Sequence, residues 1–174
     1  MIEIIHGSLF DSDANFIIHQ VNCQSVMGSG VAAQVKNYYP HVHKEYVKYL
    51  NHCNKNGIDP LGTAQYVPID VWALIMTDTM KNNNVTAYDK NYQYIVNLFG
   101  QREYGEGLQT DVKAMKKAFI DIREKAKKIG ATIALPYKIG SCRGGADWND
   151  VYKIIRDVFE KSDVNVEIWQ YDLG

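Results

Sequence analysis

Two glycine-rich loops, far apart in the chain, are where chemistry is concentrated. The first is Met27-Gly28-Ser29-Gly30-Val31, directly after the strand-like run Phe16-Ile17-Ile18-His19-Gln20-Val21-Asn22. The second is Ile139-Gly140-Ser141-Cys142-Arg143-Gly144-Gly145-Ala146-Asp147-Trp148, directly after the apolar run Ala131-Thr132-Ile133-Ala134-Leu135-Pro136. Glycine lets backbone N–H groups turn toward a ligand with no Cβ in the way. A helix N-terminus just behind adds partial positive charge. Two such cradles at the strand ends of one sheet suit a ligand with two phosphates. A dinucleotide domain of the Rossmann type is the competing reading. Against it, the first strand leads into Gly7-Ser8-Leu9-Phe10, not into a glycine fingerprint opening a helix.

The elements that must position these loops are legible in the spacing. Residues 2–6, 15–21, 64–69, 94–99, 131–136 and 164–171 read as strands. A short helix is expected from Gly30 to Tyr39, and Pro40 opens a second, stopped near Asn54-Lys55-Asn56-Gly57. Val112, Met115, Phe119, Ile122, Ala126 and Ile129 recur at helical intervals, so 111–129 is a helix ended by Gly130. Asp147 is placed to N-cap a last helix with Val151, Ile154, Ile155, Val158 and Phe159 on its apolar face. In 70–92, the apolar run 71–76, a turn at 81–84 and Val85-Thr86-Ala87-Tyr88 predict a hairpin inserted at the sheet edge. Strands alternating with helices imply a mixed, largely parallel sheet covered on both faces. Residues 1–174 read as one domain, since neither repeat nor linker interrupts them.

Composition narrows the function classes. The chain has 174 residues, 46% of them apolar, enough for one sizeable core. A net charge of −1 gives no general attraction to nucleic acid or membrane. Neither a signal peptide nor a membrane span is visible, so a cytoplasmic location is expected. Cys23, Cys53 and Cys142 lack paired metal spacing and read as reduced thiols. His41 and His43 are two apart and point to different sides of a helix, so no metal site is expected there. No cofactor is called for.

Taken in order, four motifs carry a family resemblance. They are Ile18-His19-Gln20-Val21-Asn22-Cys23, Met27-Gly28-Ser29-Gly30-Val31-Ala32, Val96-Asn97-Leu98-Phe99-Gly100-Gln101, and Leu135-Pro136-Tyr137-Lys138-Ile139-Gly140 with Gly144-Gly145-Ala146-Asp147-Trp148 after it. The chain resembles a macrodomain, the ADP-ribose-binding family with a three-layer α/β/α fold. It is most similar to the branch holding ADP-ribose-1″-phosphate phosphatases and the terminal ADP-ribose protein glycohydrolase, whose single-domain members are frequent in bacteria and phages. The resemblance implies that Gly28, Ser29, Gly30 and Val31, with Met27 beside them, line one side of a pyrophosphate. It implies that Gly140, Ser141, Cys142, Arg143 and Gly144 close over it, that Asn22 faces the distal ribose, and that Leu9 lies against adenine. Ser8 stands where many macrodomains have an aspartate for the adenine amino group.

Catalysis is where the chain departs from that branch. The terminal ADP-ribose glycohydrolase uses a lysine after the central strand and an aspartate in the second loop. Here those places hold the Gly100-Gln101 region and Gly144. The side chains left for acid–base or water-positioning work are Asn22, His19, Gln101 and Asp147, with Tyr104 a further candidate. His19 has a second reading as a buried strand histidine, and Asp147 one as a helix cap. The expected function is binding of ADP-ribose or a close derivative with hydrolysis at the distal ribose. The substrate would be ADP-ribose-1″-phosphate or an ADP-ribosylated macromolecule. The alternative is a non-catalytic binder of ADP-ribose-derived nucleotides or of ADP-ribosylated partners.

Overall fold

The computed structural model of the protein describes residues 1–82 and 91–172. Six strands form one sheet in the order β1-β6-β5-β2-β4-β3. They are β1 (Ile2–His6), β2 (Phe16–Val21), β3 (Ala64–Pro68), β4 (Tyr94–Phe99), β5 (Ile133–Pro136) and β6 (Val166–Gln170). All neighbours are parallel except β3, which runs antiparallel to β4 at the edge. The expected mixed, largely parallel sheet is therefore present.

Two helical layers cover it. On one face, Phe16, Ile18, Val96 and Leu98 pack against Met115, Phe119 and Ile122 of α4 (Val112–Ile129) and Ile155 and Phe159 of α5 (Trp148–Phe159). On the other, Ile17, Ile95 and Val67 meet Val35 of α1 (Gly30–Tyr38) and Val42 of α2 (Pro40–Lys55). The period-two alternation of β2 and β4 assigns each apolar residue to its layer. Both ends of α4 follow from sequence. Asp111 accepts hydrogen bonds from the N–H groups of Lys113 and Ala114, and Gly130 closes the helix at φ 69°. An aspartate cap of this kind is worth about 1 kcal/mol.

Residues 70–92 differ from expectation. Val71–Asn82 forms a helix, α3, after the edge strand β3, not the first arm of a hairpin. The physical reason is Asp70. Its carboxylate accepts from Trp72 N at 2.8 Å and its carbonyl accepts from Leu74 N at 3.1 Å, which starts a helical turn. An apolar run behind an N-cap residue reads equally well as a helix, with Ala73 as its buried position. The proposed second arm, Val85–Tyr88, lies outside the described residues. No helix among the described residues is long and apolar enough to cross a membrane.

Candidate functional site

The carboxyl ends of β2, β4 and β5 each lead through a loop into a helix, and the three loops converge. Between them lies a cleft of about 770 Å³, a size that holds a nucleotide-scale ligand. Its floor includes Gln20 and Asn22, and one wall is Gly28, Ser29 and Ala32. The opposite side is Gln101, Tyr104–Leu108, Cys142, Arg143 and Gly145. A methyl group placed on Gly30 would sit 3.9 Å from Arg143 Cγ, so the two glycine loops face one another.

The first loop is built to expose amides. Ser29 is the N-cap of α1 but its side chain caps nothing. The first-turn N–H groups are thus left without a side-chain acceptor, and the helix dipole adds to their pull on an anion. Gly30 has φ 58°, a conformation that disfavours a side chain.

Asn22 is more engaged than expected. Its Oδ1 accepts from Gln24 N at 2.9 Å and from Val26 N at 3.4 Å, and its Nδ2 donates to Val26 O at 2.8 Å. The buried Tyr46 hydroxyl lies 2.7 Å from Asn22 O and 2.8 Å from Asn22 Oδ1. Burial drives the Tyr46 phenol upward, so it stays protonated and donates. Asn22 therefore shapes residues 22–26, and one N–H of its amide remains for a ligand.

The second loop is held by its carbonyls. Gly144 O accepts from Gln109 N at 2.8 Å and Thr110 N at 2.9 Å. Gly140 O accepts from Thr110 Oγ1 at 2.7 Å. Gly144 is buried and Gly140 half-buried in this packing, whereas Cys142 and Arg143 are exposed at its tip. Ser141 is half-buried, and its Oγ has no partner among the described residues.

Several expected contacts fall elsewhere. Ser8 caps a short 3-10 turn, its Oγ accepting from Phe10 N at 3.3 Å. Leu9 is buried against Ile17 and Val35, and Met27 against Val21, Tyr46 and Phe99. Val31 is half-buried beside the Leu9 cluster. These four residues support the loops and do not line the cleft. Asp147 is exposed outside it and caps α5, accepting from Asn149 N at 2.7 Å.

His19 is also outside the cleft. It is 1% exposed and its Nε2 lies 2.6 Å from Asn97 Oδ1. Asn97 Nδ2 donates to Gln65 Oε1 at 3.0 Å, and Gln65 Nε2 donates to the Glu45 carbonyl at 2.9 Å. That carbonyl only accepts, which fixes every donor back to a proton on His19 Nε2. Burial lowers the His19 pKa to about 4, against a smaller opposing effect of the Asn97 bond. The folded pKa lies below the unfolded value of 6.5, so the contribution to stability is complete above pH 6.5 and is lost as pH falls toward 4. The loss amounts to roughly 3 kcal/mol. Urea unfolding at pH 7 and pH 4.5 should show it, and His19→Gln should remove it. An identical pH slope in parent and variant would refute the neutral ladder.

Sequence reasoning missed Gln20 as a floor residue and the rim 105–108. The signal was available. Gly105-Glu106-Gly107 sits between the end of β4 and the Asp111 cap, at the same carboxyl end of the sheet as both glycine loops. Glu106 is the one carboxylate lining the cleft among the described residues. The rim is anchored by Arg102, which donates to both Asp59 oxygens at 3.2 and 3.0 Å and holds that carboxyl below the usual range.

The fold has close counterparts among solved structures. The macrodomain of Mycobacterium tuberculosis DarG superposes with a TM-score of 0.73, covering 97% of each chain at 23% identity. The chain has the macrodomain fold. No family model matches it. The chain is also similar in sequence to two curated proteins. An ADP-ribose 1″-phosphate phosphatase of Aspergillus clavatus is 24% identical over 177 residues, covering 87% of this chain and 86% of the relative. A DNA ADP-ribosyl glycohydrolase of Thermus aquaticus is 24% identical over 178 residues, covering 99% of this chain. The chain spans only 41% of that second relative's length.

Proposed function

We propose that this chain binds ADP-ribose or a close derivative and hydrolyses a bond at the distal ribose. The observation that carries the reading is the pairing of an uncapped α1 N-terminus with Arg143 across one cleft. A diphosphate between them receives backbone amides, the helix dipole and a guanidinium together. Both curated relatives act on ADP-ribose derivatives by name. The second-loop aspartate and the lysine of the terminal glycohydrolase are absent, so a covalent lysine route is not part of the proposal. Asn22 and Gln101 orient a water at the anomeric carbon, and Glu106 takes its proton as the new C–O bond forms. The bond from that carbon to the phosphate or macromolecule breaks, and the leaving group departs with the bonding pair and takes up a proton. The substrate is ADP-ribose-1″-phosphate or an ADP-ribosylated macromolecule. Free thiols at Cys23, Cys53 and Cys142 fit a reducing, cytoplasmic setting.

One panel tests this. The protein is incubated with ADP-ribose-1″-phosphate, ADP-ribosylated protein and ADP-ribosylated DNA, and phosphate and free ADP-ribose are followed over time. Turnover of any one that is lost in Glu106→Gln supports the hydrolase. Tight stoichiometric binding with all three recovered intact leaves a capture module and removes the enzyme. That second reading is favoured by Gly144, which stands where the glycohydrolase has its aspartate.

A further inference from the structure

The last two residues of β2 point to opposite faces of the sheet. Val21 joins Tyr46 and Phe99 in the core, while Gln20 enters the cleft floor. There Gln20 Nε2 donates to Gln101 Oε1 at 2.7 Å and to Thr110 Oγ1 at 2.8 Å. Thr110 passes its own hydroxyl proton to Gly140 O at 2.7 Å. The directions are fixed from both ends. Gln101 Nε2 donates to Glu103 O at 2.7 Å, which leaves its Oε1 to accept. The Gly140 carbonyl accepts only, so the threonine hydroxyl must receive from Gln20.

This arrangement leaves Gln20 Oε1 buried with no protein donor among the described residues. The oxygen lies against Gly140, where an added Cβ would stand 3.0 Å from it. A buried carbonyl without a donor costs stability, and an apolar side chain of the same length would avoid that cost. The two donated bonds and the one orphaned oxygen nearly offset each other, so the amide adds little net stability.

We propose that Gln20 is a positioning residue. Through Thr110 it holds the Gly140 peptide, and so the second glycine loop, at the separation from the first loop that the ligand's diphosphate needs. The inference rests on the ADP-ribose reading given above. Without the amide, the Thr110 hydroxyl loses its fixed direction, and the Gly140 carbonyl is left with the longer bond from Ala146 N at 3.2 Å as its fixed donor.

The test measures ADP-ribose affinity by calorimetry and melting temperature on the full chain. Gln20→Met should melt close to the parent temperature yet bind ADP-ribose about tenfold more weakly. Gln20→Glu accepts only and draws the Thr110 proton away from Gly140, so its loss should be at least as large. Thr110→Ser keeps the hydroxyl and should bind like the parent. Thr110→Val should weaken binding and add nothing further when combined with Gln20→Met. Parent-like affinity in Gln20→Met overturns the proposal. So does a loss that merely follows a lower melting temperature, or additive losses in the double variant. A parent that does not bind ADP-ribose at millimolar concentration overturns the functional reading, and this inference with it.

Discussion

Gly30→Glu is expected to weaken ADP-ribose binding at least about a hundredfold, or ~3 kcal/mol. The new carboxylate enters the space that the diphosphate would fill, at the positive end of α1. A Cβ at this position has Arg143 Cγ 3.9 Å away, so the glutamate is within reach of the guanidinium and would pair with it across the cleft. One side chain thus repels the ligand and occupies its cationic partner. The residue is exposed, and its φ of 58° adds a strain of about 1 kcal/mol for any side chain. Gly30→Ala carries the same strain without the charge and serves as the control. It should keep most of the affinity. Calorimetry on both variants separates the two effects, and a Gly30→Glu protein that binds like Gly30→Ala would remove the diphosphate from this loop.

Gly144→Asp should fail as a gain of function. The substitution restores the aspartate that the terminal glycohydrolase places in this loop, so a reading by motif alone expects activity to rise. The packing predicts the reverse. An added Cβ would overlap Thr110 Oγ1 and lie 2.5 Å from Gly140 O and 2.9 Å from Gln20 Nε2. All three belong to the network that ties the loop to the cleft floor. Overpacking of this kind costs about 1–3 kcal/mol, and burying a carboxylate adds to it. At this chain length the melting temperature should drop by about 4–10 °C, and ADP-ribose affinity should fall with it. Gly144→Ala should show most of the thermal loss. An unchanged melting temperature in both variants would contradict the packing account.

The sheet, helices α1, α2, α4 and α5, and the two phosphate-type loops were legible because each is a local pattern. Near-continuous apolar runs marked β2 and β4 as buried strands. The three–four spacing of Val112 to Ile129 gave α4, and glycine after a strand gave the loops. What escaped depends on which neighbour a side chain meets. His19 had two readings, and only the register with Asn97 on β4 resolves them in favour of a neutral buried ladder. Asp147 likewise had a cap reading and a catalytic one, and its bond to Asn149 N selects the cap. Leu9 and Met27 sit in loops, yet both are buried, because loop residues beside a sheet also close its core. The rim at 105–108 carries no apolar period, and only its place after β4, next to the candidate Tyr104, marks it. Residues 71–82 misled because a short apolar run has no period of its own, and Asp70 was the overlooked tie-breaker.

The double acceptance by the Gly144 carbonyl gives the protein a reporter. The amide protons of Gln109 and Thr110 are both bonded to that single oxygen, just ahead of the Asp111 cap. Neither proton exchanges with solvent until the second loop lets go. Their exchange rates therefore measure how often the cleft opens in the resting protein, with no ligand and no label added. Whatever occupies the cleft and holds that loop in place will register as a slowing at these two positions.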